Sequence, residues 1–304
     1  MLKSHIYFIF FVVLLTGCIG QKKVVSTELP IQAECFSTLV DKHFTPTDIE
    51  FKELDEKYQD EIDRRKHFLS LALEMEEDLQ RLVQMKMDEE PEEDIKRLRD
   101  QLIRVVDLAE MEVSAIASGL ICEEENSTQL ATYLDRKVGN QERKLTVAAI
   151  TIGAGMATAR GVTNLGGWQS PAVEGVILAG ALVEVYIAVK ILLLTRKMEV
   201  EHPVNIIEMV IEKDNSAGIF SPAVWFYLNE TSEVMEKPLR DQMIERWETY
   251  TQYADKDFDL FMGEKGTYNA EQLHTRSDLL ENITAQVNIM KQDIMHMMRF
   301  LHGF

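Results

Sequence analysis

The chain has 304 residues and carries 51 Asp and Glu against 32 Lys and Arg, a formal charge of −19. That much negative charge repels nucleic acid and anionic lipid surfaces, so neither is an expected partner. The length allows one large domain or two smaller ones.

The N-terminus reads MLKSHIYFIFFVVLLTGCIG. Lys3 precedes an unbroken apolar run from Ile6 to Leu15, the pattern of a secretory signal peptide and too short to span a bilayer comfortably. The run ends in Leu15-Thr16-Gly17-Cys18: an aliphatic residue, two small ones, then cysteine. These residues resemble the lipobox of bacterial lipoproteins, a resemblance confined to the first twenty residues. It implies removal of residues 1–17 and acylation of Cys18 by palmitate-type chains. Each buried methylene of such an anchor contributes about 0.8 kcal/mol, and several chains hold a protein stably on a membrane. It also implies a bacterial cell-envelope location. Ile19, where an Asp favours inner-membrane retention in enterobacteria, points to the outer membrane, facing the periplasm. Residues 18–46 then form the anchor and tether. In that oxidising compartment Cys35 and Cys122 are expected to form a disulfide, with two buried free thiols as the alternative.

Thr47 and Glu50 have the spacing of a capping box. Behind them Phe51, Leu54, Tyr58, Ile62, Leu69, Met75, Leu79 and Leu82 recur mostly at threes and fours, which predicts one long amphipathic helix. Asp88-Glu89-Glu90-Pro91 breaks it, and acids with proline suit the first turn of a new helix. That second helix carries Ile95, Leu98, Leu102, Val105, Val106, Ala109, Val113, Ile116 and Leu120, and Gly119 and Cys122 mark its expected end. An antiparallel pair would leave the regions of Cys35 and Cys122 at the same end, away from Pro91. Asn126-Ser127-Thr128 is expected to cap a third helix, with an interruption at Gly139-Asn140.

An apolar stretch runs from Leu145 to Ala159, a loop is expected over 160–170, and Pro171 opens a further apolar helix to about Leu194. Beyond His202 the expectation is a short helix at 203–211, a second behind Ser221-Pro222, an amphipathic one over 239–250, and a long last helix capped near Asn269. No period-two strand pattern stands out, so the fold class expected is all-α. The body is expected over 47–200, with an apolar hairpin at 145–194, and a C-terminal helical region over 201–304 packs on it.

The stretch AAITIGAGMATARG, 148–161, admits three readings. Gly153-Ala154-Gly155 suggests a nucleotide loop, but such a loop needs a preceding strand, and the surroundings read as helix. The other two are helical. Ala149, Gly153, Ala157 and Gly161 fall four apart and would form a small-residue packing seam against Ala172, Gly175, Ala179 and Gly180. The hairpin so formed is either buried in the domain, the reading taken first, or inserted into a membrane. Its first helix has about fifteen uncharged residues, short of the roughly 20 needed to span. Its second carries Glu174, Glu184 and Lys190.

Other motifs are weaker. Asp255, Asp257 and Asp259 open like a calcium loop, but Leu260 and Gly266 stand where Gly and Glu are required. Met290, Met295, Met297 and Met298 with His296 and His302 could bind copper(I), although methionine at helical spacing more often fills a core. No HExxH or GxSxG occurs, and neither catalytic residue, metal nor cofactor is expected. The expected function is a non-enzymatic lipoprotein scaffold or adaptor. It would be held at the membrane through Cys18 and would dock another envelope protein or a second copy. The alternative is a membrane-active protein that inserts the 145–194 hairpin.

Overall fold

A computed structural model describes residues 35–36, 52–166, 171–231, 236–250 and 258–304. The signal peptide, Cys18, the tether apart from Cys35 and Phe36, the 47–50 capping box, and Asp255 and Asp257 lie outside the described residues. Within them the protein is all-α except for two four-residue strands. In chain order a 3-10 turn at Glu56–Tyr58 precedes α1 (Arg64–Ala72), α2 (Glu76–Met87), α3 (Glu92–Gly166) and α4 (Pro171–Leu192). Then come β1 (Met198–Glu201), α5 (Ile206–Glu212), α6 (Pro222–Asn229) and α7 (Leu239–Tyr250). The chain closes with α8 (Phe258–Phe261), β2 (Lys265–Tyr268) and α9 (Ala270–His302). The strands pair in a two-stranded sheet that the sequence had not signalled, since four residues are too few to display a period of two.

The single long helix expected behind Thr47 is in fact three short pieces. Asp63 caps α1 by accepting from the Lys66 N–H at 2.9 Å. At its far end Glu74 adopts φ 52°, the Met75 N–H bonds the Ser70 carbonyl at 2.9 Å and the Glu74 N–H bonds Leu71 at 3.0 Å. This is a left-handed helix stop built without glycine. The same device, with Glu89 at φ 53° and Glu90 N–H on the Met85 carbonyl, ends α2 where the break was expected. Apolar residues continue through the first stop because Leu69, Leu71 and Ala72 before it and Met75, Leu79 and Leu82 beyond it are all buried.

Conversely, α3 runs as one continuous helix of 75 residues where two helices were expected. Gly119, Asn126 and Gly139 do not end it. A helical glycine costs only about 1 kcal/mol and leaves its hydrogen bonds intact. Here Gly119 has a packing role: a Cβ there would overlap the Phe36 ring, 2.6 Å from Cδ1. The polar triplet expected as a cap serves tertiary contacts instead. Asn126 Nδ2 donates to Cys35 Sγ at 3.3 Å, and Thr128 and Ser277 hydroxyls lie 2.7 Å apart. The helix also runs on through the loop expected from residue 160, as far as Gly166.

The chain divides into two compact units. The first holds residues 130–199 and 267–271. The second, the body, holds the described parts of 28–129, 200–266 and 272–304. In the body, α1 packs on α2 and α6, and α6 on α7. Phe68 sits 5.4 Å from the Phe226 ring and 5.5 Å from Tyr227. Leu102, Val106, Val113 and Leu120 on α3 are buried, as are Leu280, Ile283, Val287, Met290 and Met297 on α9. Met290 and Met297 of the C-terminal methionine cluster are thus core residues. The Cys35 and Cys122 sulfurs lie at bonding distance, with Cα atoms 5.6 Å apart. Ser221 caps α6 by accepting from Val224 N–H, with Pro222 at its first position.

Candidate membrane-facing hairpin

The distal half of α3 and the whole of α4 form an antiparallel hairpin within the first unit. Pro171 is preorganised for the first turn of α4, and Glu174 suits the positive end of its dipole. Three contacts fix the register. Arg196 donates to Gln141 Oε1 at the base of the hairpin. Gly153 faces the Glu184 carboxylate, and Gly180 faces the Met156 thioether. A Cβ at either glycine would overlap that side chain, which would have to shift.

On α4 the residues turned to this seam are Val173, Ile177, Gly180, Glu184, Ile187 and Ile191, all half-buried or buried. Their spacing alternates four and three, the period of two helices packed side by side. This pattern was readable in the sequence but was masked there by the apolar residues on every other face. Of the expected small-residue seam, Ala149 and Gly153 are half-buried, whereas Ala157 and Gly161 are exposed, and a Cβ on Gly161 would meet open space. Gly175 likewise has nothing within 4 Å. The small-residue rows touch over only part of their length.

The outward faces are apolar as well. Val147, Ile150, Val162 and Leu165 on α3, and Val176, Leu178, Val183, Val185, Val189 and Leu192 on α4, are all exposed. With Tyr186 and Leu193, the stretch 147–193 holds twelve of the twenty-one exposed large apolar side chains among the described residues, so the exposure is concentrated here. The segment Val173–Leu192 has a mean hydropathy of 2.1, and only 6% of it is buried. A helix apolar all round is normally covered by protein or by lipid. Contiguous exposed patches of this kind are rare on soluble monomers and mark interaction surfaces. The chain covers one narrow seam and leaves the rest open.

Perturbed ionisable groups lie elsewhere, in the body. Burial lowers His202 to about 3, with nearby Arg276 acting in the same direction. Burial raises Glu123, opposed by Arg276. Burial also raises Tyr227, which donates to Asp293 Oδ2 at 2.7 Å. None of the three lines the body's open groove of about 650 Å³, which is formed by Ile294, Met295, Met298, Arg299 and His302 on α9 with Glu110 on α3. Among the described residues no three His, Cys, Asp or Glu side chains gather as a metal site would require. The chain matches no protein-family model, no curated protein and no solved structure.

Proposed function

We propose that this chain is a non-enzymatic membrane protein of the bacterial cell envelope that inserts its apolar hairpin into a bilayer. The observation that carries this reading is the exposure of α4: an apolar helix of 22 residues whose charges are Glu174 in its first turn, Glu184 in the seam and Lys190 in its last turn, with that one seam covered by its own chain. At 1.5 Å per residue it is about 33 Å long, and a hydrocarbon core is about 30 Å thick. The segment of α3 from residue 145 to Gly166 has the same length and one charge, Arg160, which can extend toward the nearer interface. Lipid is the environment that removes these faces from water without a protein partner. The Leu15–Cys18 lipobox supports the same compartment, with acylated Cys18 as a second attachment.

The test replaces residues 1–17 by a cleavable non-lipoprotein signal, carries Cys18→Ser, and fractionates cells without detergent. Retention in membranes after an alkaline wash is the expected result. A soluble, folded periplasmic protein would refute insertion.

A second reading, an adaptor that docks another envelope protein or a second copy, is supported by the groove on α9 and by exposed Leu108 and Met111 on α3. A photo-crosslinker at Met298 tests it: capture of a defined partner supports docking, and a crosslink-free monomer opposes it.

A further inference from the structure

The base of the hairpin reverses the charge of the molecule. Residues 136–199 carry eight Lys and Arg against four Asp and Glu, whereas the whole chain carries 32 against 51. Seven of those eight basic residues belong to two stretches, 136–144 and 190–197, which lie more than forty residues apart in sequence. The hairpin brings the stretches together. The Arg196 guanidinium bonds Gln141, which sets Arg196 and Lys197 at the level of α3 within about a turn of Arg143 and Lys144. By the same register, which sets Gly153 against Glu184, Lys190 lies about one turn above Lys144. Arg136 and Lys137 lie about two turns below Arg143 on α3. Arg136, Lys137, Arg143, Lys144 and Lys190 are exposed. Lys190 rests 5.7 Å above the Tyr186 ring, and Lys137 rests 5.1 Å above Tyr133. Each of these two cations thus has an aromatic side chain one turn away on its own helix.

We infer that this basic collar is a binding surface for anionic phospholipid headgroups, which sets the depth and selects the lipid of the inserted hairpin. The inference rests on the proposed insertion. Its independent support is charge complementarity at the one level where an inserted hairpin would meet headgroups. Apolar side chains begin immediately above the collar, at Leu145 and Val147 on α3 and at Val189 on α4. Lys and Arg stems lie along apolar surface while their heads reach the interface. Each such residue near an anionic surface contributes about 1 kcal/mol, roughly fivefold in partitioning. The net charge of the chain, which argues against anionic surfaces, is the wrong quantity at this range. Screening confines the interaction to about 10 Å at 0.1 M salt, so the local balance, seven bases against Asp135, Glu142 and Glu199, counts for more than the acids of the rest of the chain.

The experiment uses the exported, unacylated Cys18→Ser protein with vesicles of phosphatidylcholine alone, or with about a third phosphatidylglycerol. Partitioning is read by cosedimentation at low and high salt. Insertion is read separately, by quenching of Trp168, between α3 and α4, with brominated lipid and a Trp168→Phe control. The collar predicts tighter binding to anionic vesicles, by on the order of 100-fold or more at low salt, collapsing at high salt. The triple variant Arg143→Gln, Lys144→Gln, Lys190→Gln would lose about 100-fold on anionic vesicles and nothing on neutral ones. The charge-keeping pair Arg143→Lys, Lys144→Arg would bind as the parent does. Trp168 quenching with equal binding to both vesicles at all salts overturns the collar and leaves insertion standing. Absence of quenching on either vesicle overturns both.

Discussion

Val185 lies on the outward face of α4 with 61% of its surface exposed, while its neighbour Ile187 is 6% exposed in the seam. By the register of the hairpin Val185 sits opposite residue 152, eight residues and so about 12 Å above Lys144, where the uncharged stretch of α3 begins. That is close to the middle of a hydrocarbon core about 30 Å thick. Val185→Arg changes no packed contact in water, and exposed substitutions of this kind stay within about 0.5 kcal/mol in stability. Near a bilayer centre an Arg costs about 2.5–3.5 kcal/mol on insertion scales. The variant is therefore expected to keep the parent's helicity and denaturation midpoint and to lose roughly 70- to 370-fold in vesicle partitioning. Leu165→Arg is the matched control. Leu165 is more exposed, at 92%, but lies near the tip, where the arginine reaches the far interface. Its expected loss is less than tenfold. Equal losses from both variants, or none from Val185→Arg, would refute a lipid-facing α4 at this depth.

Cys35 and Cys122 are 87 residues apart, and bridging them constrains the unfolded chain by about 4.6 kcal/mol in the loop-entropy treatment. Cys35→Ala with Cys122→Ala should lower the urea midpoint of the body accordingly, and unchanged unfolding under reducing conditions would contradict the bridge. Gly119→Ala and Gly139→Ala make a contrasting pair. At Gly139 a Cβ meets nothing within 4 Å, so alanine should stabilise by up to about 1 kcal/mol. At Gly119 the Phe36 ring must move, and overpacking of about 1–3 kcal/mol cancels or reverses that gain, as thermal melts will show. His202, lowered to about 3 by burial and by Arg276, binds its proton more readily unfolded than folded. Its contribution is therefore complete above pH 6.5 and declines by up to about 1.4 kcal/mol per pH unit as pH falls from there toward 3. Stability curves of the parent and His202→Gln should converge as pH falls through that window, and parallel curves would contradict the assignment.

Helical class was legible in the sequence because apolar residues at threes and fours are a local signal. The stripes of α3 and α9, the Ser221-Pro222 start of α6 and the limits of α7 all follow from it. Where helices stop was less legible. Glu74 and Glu89 turn the chain left-handed without glycine, and Gly119 and Asn126, which look like stops, are held inside α3 by continuous hydrogen bonding and by contacts with Phe36 and Cys35. The hairpin itself could be read from composition, and so could the candidates for its seam. Composition could not tell whether its outer faces were covered, because a core helix and a lipid-facing helix have the same residues. That distinction depends on which other elements pack there, a property of the whole chain. The basic collar depends on tertiary structure in the same way. Arg143-Lys144 and Arg196-Lys197 are two unremarked pairs in an acidic sequence until an antiparallel register joins them at one end of an apolar rod. Local periodicity therefore determined the elements of this protein, while the apolar faces and the basic collar proposed to meet a membrane were decided by burial and register between distant segments.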